Sequence, residues 1–333
     1  MKIYVSVGDI NGIGLEILLR SHISLQKKYP HIEWIYGVDK EILAKGKELL
    51  NINIDIESLP CISIAMQNSQ QLWEQTFNTA LSNFLQPMPI PCIQPATICS
   101  KSGLYSLKSF LQGVLLAQKR EISALITLPI HKQAWAGAGI HYAGHTELLR
   151  FLYQQSVIMM LGCPKLFVAL FSDHIPLKQV PATIQKDKIV YFLIQLCSCL
   201  KHMRKCGVLG LNPHAGDGGL LGDEDFIIQE AIAEANAQLK CNIFSGPLVP
   251  DTAFTPFQRQ QFSYFVAFYH DQGLIPLKTL YFDESINVSL GLPIIRVSVD
   301  HGVAFDKAYK QQDISCKSYE NAIQTAILLQ GQS

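Results

Sequence analysis

Short apolar runs alternate along the chain with longer amphipathic stretches, and the two periodicities predict different elements. Runs rich in Val, Ile, Leu and aromatic residues predict strands over Ile3–Val7, Glu33–Gly37, Ala124–Leu128, Val157–Leu161, Leu166–Phe171, Val208–Leu211, Phe265–Tyr269 and Ile294–Val299. Helical spacing predicts helices over Leu15–Tyr29, Lys101–Arg120, Lys186–Met203 and Glu224–Leu239. Such alternation is the pattern of an α/β protein with largely parallel sheets. Polar residues gather where the strands end: Gly8-Asp9, Thr127, His131-Lys132, Asp173-His174, Asn212-Pro213-His214, His270-Asp271 and Asp300-His301. In parallel sheets those ends share one edge, where α/β proteins keep their ligands. The stretch "FVAFYHDQGLIPLK" is the sharpest case. An apolar strand meets an imidazole, a carboxylate and a glycine, Gly273, expected to permit a turn.

Composition narrows the classes. The 333 residues suffice for two domains, and 48% hydrophobic against 16% charged with zero net charge argues against disorder and against a nucleic-acid surface. Nine cysteines without a C-x-x-C pair suit reduced thiols. The amino end starts a strand at once, and the apolar stretch Ile189–Leu200 is too short to span a bilayer. The expectation is a soluble cytoplasmic protein with no membrane or nucleic-acid partner.

Three groups of residues carry candidate chemistry. "VSVGDINGIGLE" has a strand, a glycine loop and a helix, with Asp39 placed as a ribose acid, but Ile17 stands where a Rossmann loop needs its third glycine. A tight turn feeding a helix is the better reading. "LNPHAGDGGLLGDED" is a second glycine loop before an acidic helix start, and Gly216, Gly218 and Gly219 are its candidates for holding a cofactor phosphate. His174, His214 and His270 each follow an apolar strand; their spacing matches no local metal motif, yet three imidazoles with an open position suit zinc or cobalt better than magnesium. Last, His145, Thr146, Lys278, Asn287 and Arg296 form a basic and polar set. Arg296 interrupts an apolar strand and so needs an anion or a structural ion pair, while His145-Thr146 is expected to cap a helix.

Taken together, "GDINGIGLE", "TLPIHK", "AGHTELL", "LNPHAGDGGLLGDED", "GPLVPDTAF", "YHDQGLIPLK" and "NVSLGLPIIRVSVDHG" resemble the 4-hydroxythreonine-4-phosphate dehydrogenase family of pyridoxal 5′-phosphate biosynthesis. The resemblance runs nearly the full length and is weakest over about 51–97. It implies a two-domain α/β/α fold similar to isocitrate and isopropylmalate dehydrogenases, not a Rossmann fold. The domains are expected over 1–130 with 302–333, and over 131–301, with the active-site cleft between them. It implies a divalent metal (zinc, with cobalt or magnesium as alternatives) on His174, His214 and His270, and substrate contacts from His145, Thr146, Lys278, Asn287 and Arg296. It further implies NAD, or NADP, as oxidant and a homodimer with a shared active site. The implied reaction oxidises 4-phosphooxy-L-threonine to a β-keto acid that decarboxylates to 3-amino-2-oxopropyl phosphate. Asp271 and Asp251 are both candidates for the proton acceptor. The chain departs from the family at Ile10 and Leu15, where prolines are usual, at Leu128, where a small residue is common, and at Asp173, where a threonine is usual. Those departures leave open a dehydrogenase of another phosphorylated hydroxy acid or a cis-dihydrodiol. From the residues alone, a metal-dependent phosphohydrolase or a phosphometabolite-binding protein is the alternative of another class.

Overall fold

A computed structural model describes residues Met1–Gly331. The strands are β1 (Lys2–Ser6), β2 (Glu33–Gly37), β3 (Cys61–Ile62), β4 (Ala124–Thr127), β5 (Ile158–Cys163), β6 (Leu166–Leu170), β7 (Cys206–Leu209), β8 (Phe244–Leu248), β9 (Tyr264–Ala267), β10 (Ile286–Leu290) and β11 (Arg296–Val299). They fall in two compact units, Met1–Gln155 with Leu292–Gly331, and Ser156–Gly291.

In the first unit the strands run β3-β2-β1-β4-β11 and every pair is parallel. Parallel strands are covered on both faces, which is why β1 and β4 are apolar almost throughout and fully buried at Ile3, Tyr4, Val5, Leu125 and Ile126. The helix Ser100–Gln118 lies in the same core, where Phe110 and Leu111 meet Trp73, Trp135, Leu148 and Leu149. Each such large side chain contributes about 1.5–3 kcal/mol by leaving water. That packing explains a difference from the expected domain boundaries. Residues 131–155 belong with the first unit because Trp135, Leu148 and Leu149 fill its core. Residues 292–301 join it because β11 pairs with β4.

In the second unit the order is β10-β5-β6-β9-β7-β8, with β5 antiparallel to both neighbours and the remaining pairs parallel. Its core joins Leu161, Val168, Phe265 and Ala267 to Leu274 and Leu277 of the helix His270–Tyr281. This helix overturns the expected turn at Gly273. His-Asp-Gln-Gly is its first turn, and it continues through Pro276. Glycine and proline disfavour a helix interior by about 1 and 3 kcal/mol relative to alanine, but the burial of Leu274 and Leu277 outweighs local propensity. Gly273 is needed for closeness: a Cβ there would stand 2.5 Å from Val168 Cγ1 and 2.9 Å from Ala267 Cβ.

The first glycine loop is a turn, as its missing third glycine implies. A Cβ on Gly12 would meet Val303 at 2.7 Å, and Ile13 N–H donates to the Val303 carbonyl, so the 301–309 segment lies against the loop. Asp39 accepts from Ile64 N–H, Ala65 N–H, Ser63 Oγ and Tyr105 OH. Its oxygens serve the chain and are not offered to a ribose. No helix among the described residues is long and apolar enough to cross a membrane.

Candidate functional site

Two clusters, one in each unit, hold the residues singled out from the sequence. In the first unit the cluster is buried. Gly144, with φ of 156°, takes the N-cap of the helix His145–Tyr153, so His145 and Thr146 are its first two residues and not its cap. The glycine cap turns His145 inward, where its ring packs 4.5 Å from that of Phe110 and 5.4 Å from that of Trp135. Arg296, 2% exposed, donates from Nη2 to His145 Nδ1 at 3.2 Å. A guanidinium only donates, so Nδ1 is the acceptor and the hydrogen sits on Nε2. That Nε2 is buried without a partner. Burial, and then the charge of Arg296, hold the His145 pKa well below its ordinary value. Burial also lowers that of Arg296 to about 9. Thr146 is 9% exposed at the same helix start.

In the second unit the histidines leave three neighbouring strands. His174 follows β6, His270 follows β9 and His214 follows β7, and the three strands lie side by side in parallel, β6-β9-β7. Topology therefore sends all three to the carboxyl edge of one sheet. The rings of His174 and His270 are 5.4 Å apart. His270 Nδ1 lies 2.7 Å from Asp271 Oδ1, and donation to that carboxylate leaves the Nε2 lone pair for a ligand. The His174 backbone N–H donates to Asp173 Oδ1 at 2.6 Å. His214 opens a left-handed run in which His214, Ala215, Gly216, Asp217 and Gly218 all have positive φ. Buried Asp225 anchors the residues before it, accepting from Leu211 N–H, Asn212 N–H and Asn212 Nδ2. Among the described residues no three His, Cys, Asp or Glu side chains converge closely enough to hold a metal ion. The three histidines fit a divalent ion by donor type and by the strands they follow, but only the rings of His174 and His270 adjoin, and His214 follows the next strand without completing a ligand set.

The remaining candidates are in the second unit too. Lys278 is half-buried, with Nζ 5.7 Å from the Phe282 ring centre. Asn287 sits on β10 opposite Leu161, and its Oδ1 is buried without a partner. Asp251 is exposed in the turn after β8. Gly216 is buried, whereas Gly218 has open space where a Cβ would be.

One residue that builds these clusters, and the role of another, escape a reading of the sequence. Gln272 accepts from Phe268 N–H at 2.8 Å and donates to the Gly210 carbonyl at 2.6 Å, tying the ends of β9 and β7 to the helix that starts at His270. Thr127 accepts from Arg296 twice. A glutamine in a helix is ordinary and gives no signal, while Thr127 is legible as a polar strand end but its hold on Arg296, 169 residues away, is not.

Comparison with known proteins agrees on one family. The family model described as "Pyridoxal phosphate biosynthetic protein PdxA" matches residues 31–326. The chain is 44% identical over 329 residues to 4-hydroxythreonine-4-phosphate dehydrogenase of Sulfurimonas denitrificans, covering 99% of this chain and 98% of that protein. It is similar to the crystal structure of 4-hydroxythreonine-4-phosphate dehydrogenase from Klebsiella pneumoniae, with a TM-score of 0.77, 29% identity and 99% of each chain covered. A terephthalate 1,2-cis-dihydrodiol dehydrogenase from Burkholderia xenovorans shares the fold at a TM-score of 0.64 and 21% identity, covering 99% of this chain and 98% of that one.

Proposed function

Since the chain belongs to the PdxA family of pyridoxal phosphate biosynthetic proteins, we propose that it oxidises the C3 hydroxyl of 4-phosphooxy-L-threonine, with NAD (or NADP) taking the hydride. The β-keto acid so formed loses CO₂ to give 3-amino-2-oxopropyl phosphate. The observation that carries this reading is the delivery of His174, His270 and His214 to one sheet edge by the adjacent parallel strands β6, β9 and β7.

A zinc or cobalt ion on these imidazoles, with magnesium the alternative, would lower the pKa of the substrate hydroxyl and stabilise negative charge on that oxygen after oxidation and CO₂ loss. His270 would ligate through Nε2 because Asp271 engages Nδ1. Asp271 is thereby assigned to orienting the imidazole, and Asp251 to accepting the hydroxyl proton. The first-unit cluster would bind the anionic end of the substrate. Arg296 supplies charge, and His145 supplies an Nε2–H donor that its neutral tautomer keeps in place. Lys278, Asn287 and Thr146 are assigned to the same substrate, and the amides of Gly216, Gly218 and Gly219 to the dinucleotide phosphates. Exposed Ile275 and Phe282 lie on and just beyond the helix that bears Lys278, and support a homodimer as part of the reading. A cytoplasmic location goes with it.

The test is reduction of NAD by purified, metal-loaded protein. Turnover is expected with 4-phosphooxy-L-threonine and not with a cis-dihydrodiol. Phosphate release without NAD, or tight binding without turnover, would overturn the reading.

A further inference from the structure

Arg296 opens β11 opposite Leu125 of β4, yet its guanidinium is held two residues further along that strand. Residues two apart on a strand share a face, so the arginine stem lies along β4 toward its carboxyl end. There Nε–H and Nη2–H both donate to Thr127 Oγ1, at 3.2 and 2.7 Å, while Nη2 also donates to His145 Nδ1. Thr127 is fully buried. A β-branched side chain on a central strand is stiff about χ1, so its oxygen is a fixed point. An arginine fork is useful to an anion only when its plane is set, and a long stem otherwise has many rotamers to lose on binding.

We propose that Thr127 is a positioning residue for substrate binding, its hydroxyl oxygen fixing the plane of the Arg296 guanidinium before the anion arrives. The inference rests on the reading of Arg296 as the anion ligand. Valine at 127 would keep the β-branched shape and remove the oxygen; serine would keep the oxygen and remove the methyl.

The experiment is steady-state kinetics of the full-length, metal-loaded protein with 4-phosphooxy-L-threonine and NAD. The variants are Thr127→Val, Thr127→Ser, Arg296→Lys and the double T127V/R296K, with Thr127→Ala replacing the valine variant should that one fold poorly. Losing a hydrogen bond to a charged group should raise KM about tenfold in Thr127→Val and alter kcat less than about threefold. Thr127→Ser should keep KM within about twofold of wild type. In the R296K background T127V should add less than about twofold, because contacting residues do not act additively. If Arg296→Lys raises KM and Thr127→Val does not, the positioning role falls and the anion-ligand reading stands. Equal impairment of the serine and valine variants would make shape, not the oxygen, the cause and would also overturn the role. If neither position affects KM, both the role and the reading beneath it fail.

Discussion

The two clusters are built by opposite means. Around Arg296 and His145 the chain has removed water in advance: the two side chains are 2% and 8% exposed, and burial shifts both pKa values. The histidine cluster of the second unit is open, with the side chains of His174 and His270 67% and 39% exposed. A buried donor set meets its desolvation cost when the protein folds, so it is preorganised and has fixed protonation. An open imidazole set stays hydrated until a ligand arrives. It relies on strand topology to bring its members near one another.

The largest effect that would sharpen this contrast lies in the open cluster. Groups that act as a unit lose function together. His270→Ala is therefore expected to lower kcat by at least about a thousandfold, and the triple alanine variant of His174, His214 and His270 to do little worse. Metal content measured on the same samples should fall with each single change. With wild type and variants compared metal-free, so that ligand stabilisation drops out, the thermal midpoint should hardly move, since neither His174 nor His270 is part of the core. A His214→Ala protein that keeps both its metal and its activity would separate His214 from the other two.

A smaller effect concerns how the open cluster is carried. Gly273→Ala places a methyl against Val168 and Ala267 beneath the helix that starts at His270. Overpacking of this kind costs about 1–3 kcal/mol. If Gly273 served only to permit a turn, and the helix had space at that position, alanine would stabilise by up to about 1 kcal/mol. Urea denaturation distinguishes the two signs. A stabilised variant would show that the helix is not held close to β6 and β9.

What a sequence discloses follows the same division. Strand ends and their histidines were legible because an apolar run followed by a polar residue is a local pattern, and β6, β7 and β9 all fall where such runs predict them. The strand order that sets β6, β9 and β7, and so the segments bearing His174, His270 and His214, side by side is non-local and has no trace in spacing. The helix His270–Tyr281 was hidden because Gly273 and Pro276 are breakers by local propensity, and only packing on the sheet overrules them. β8 was hidden by its internal Gly246-Pro247, whereas β10 alternates Asn287 and Ser289 with Ile286, Val288 and Leu290, a strand pattern that a search for unbroken apolar runs passes over. Arg296 stood out as a cation in an apolar strand, but Thr127, which holds it, is an ordinary strand residue. The inward turn of His145 depends on Gly144 and on two aromatic rings far apart in sequence.

The smallest expected effect tests whether the buried cluster keeps its fixed protonation. In the folded chain His145 is neutral, because burial first and the Arg296 charge second depress its pKa well below 6.5. In the unfolded chain the imidazole takes up a proton as pH falls through about 6.5. Below that point the unfolded state binds more protons than the native one, so stability falls as pH falls. The contribution is fully present above about pH 7. It is lost progressively between about pH 6.5 and the depressed native value, with a slope approaching about 1.4 kcal/mol per pH unit. His22 is likewise depressed by burial, beside Tyr36 OH, and adds a slope of the same sign. Urea denaturation at pH 7.5, 6.5 and 5.5 should therefore show a pH dependence that His145→Gln reduces and does not abolish. A slope unchanged by that substitution would mean that the native imidazole takes up its proton as readily as the unfolded one, and the contrast between a dry, preset cluster and a wet, open one would fail on the His145 side.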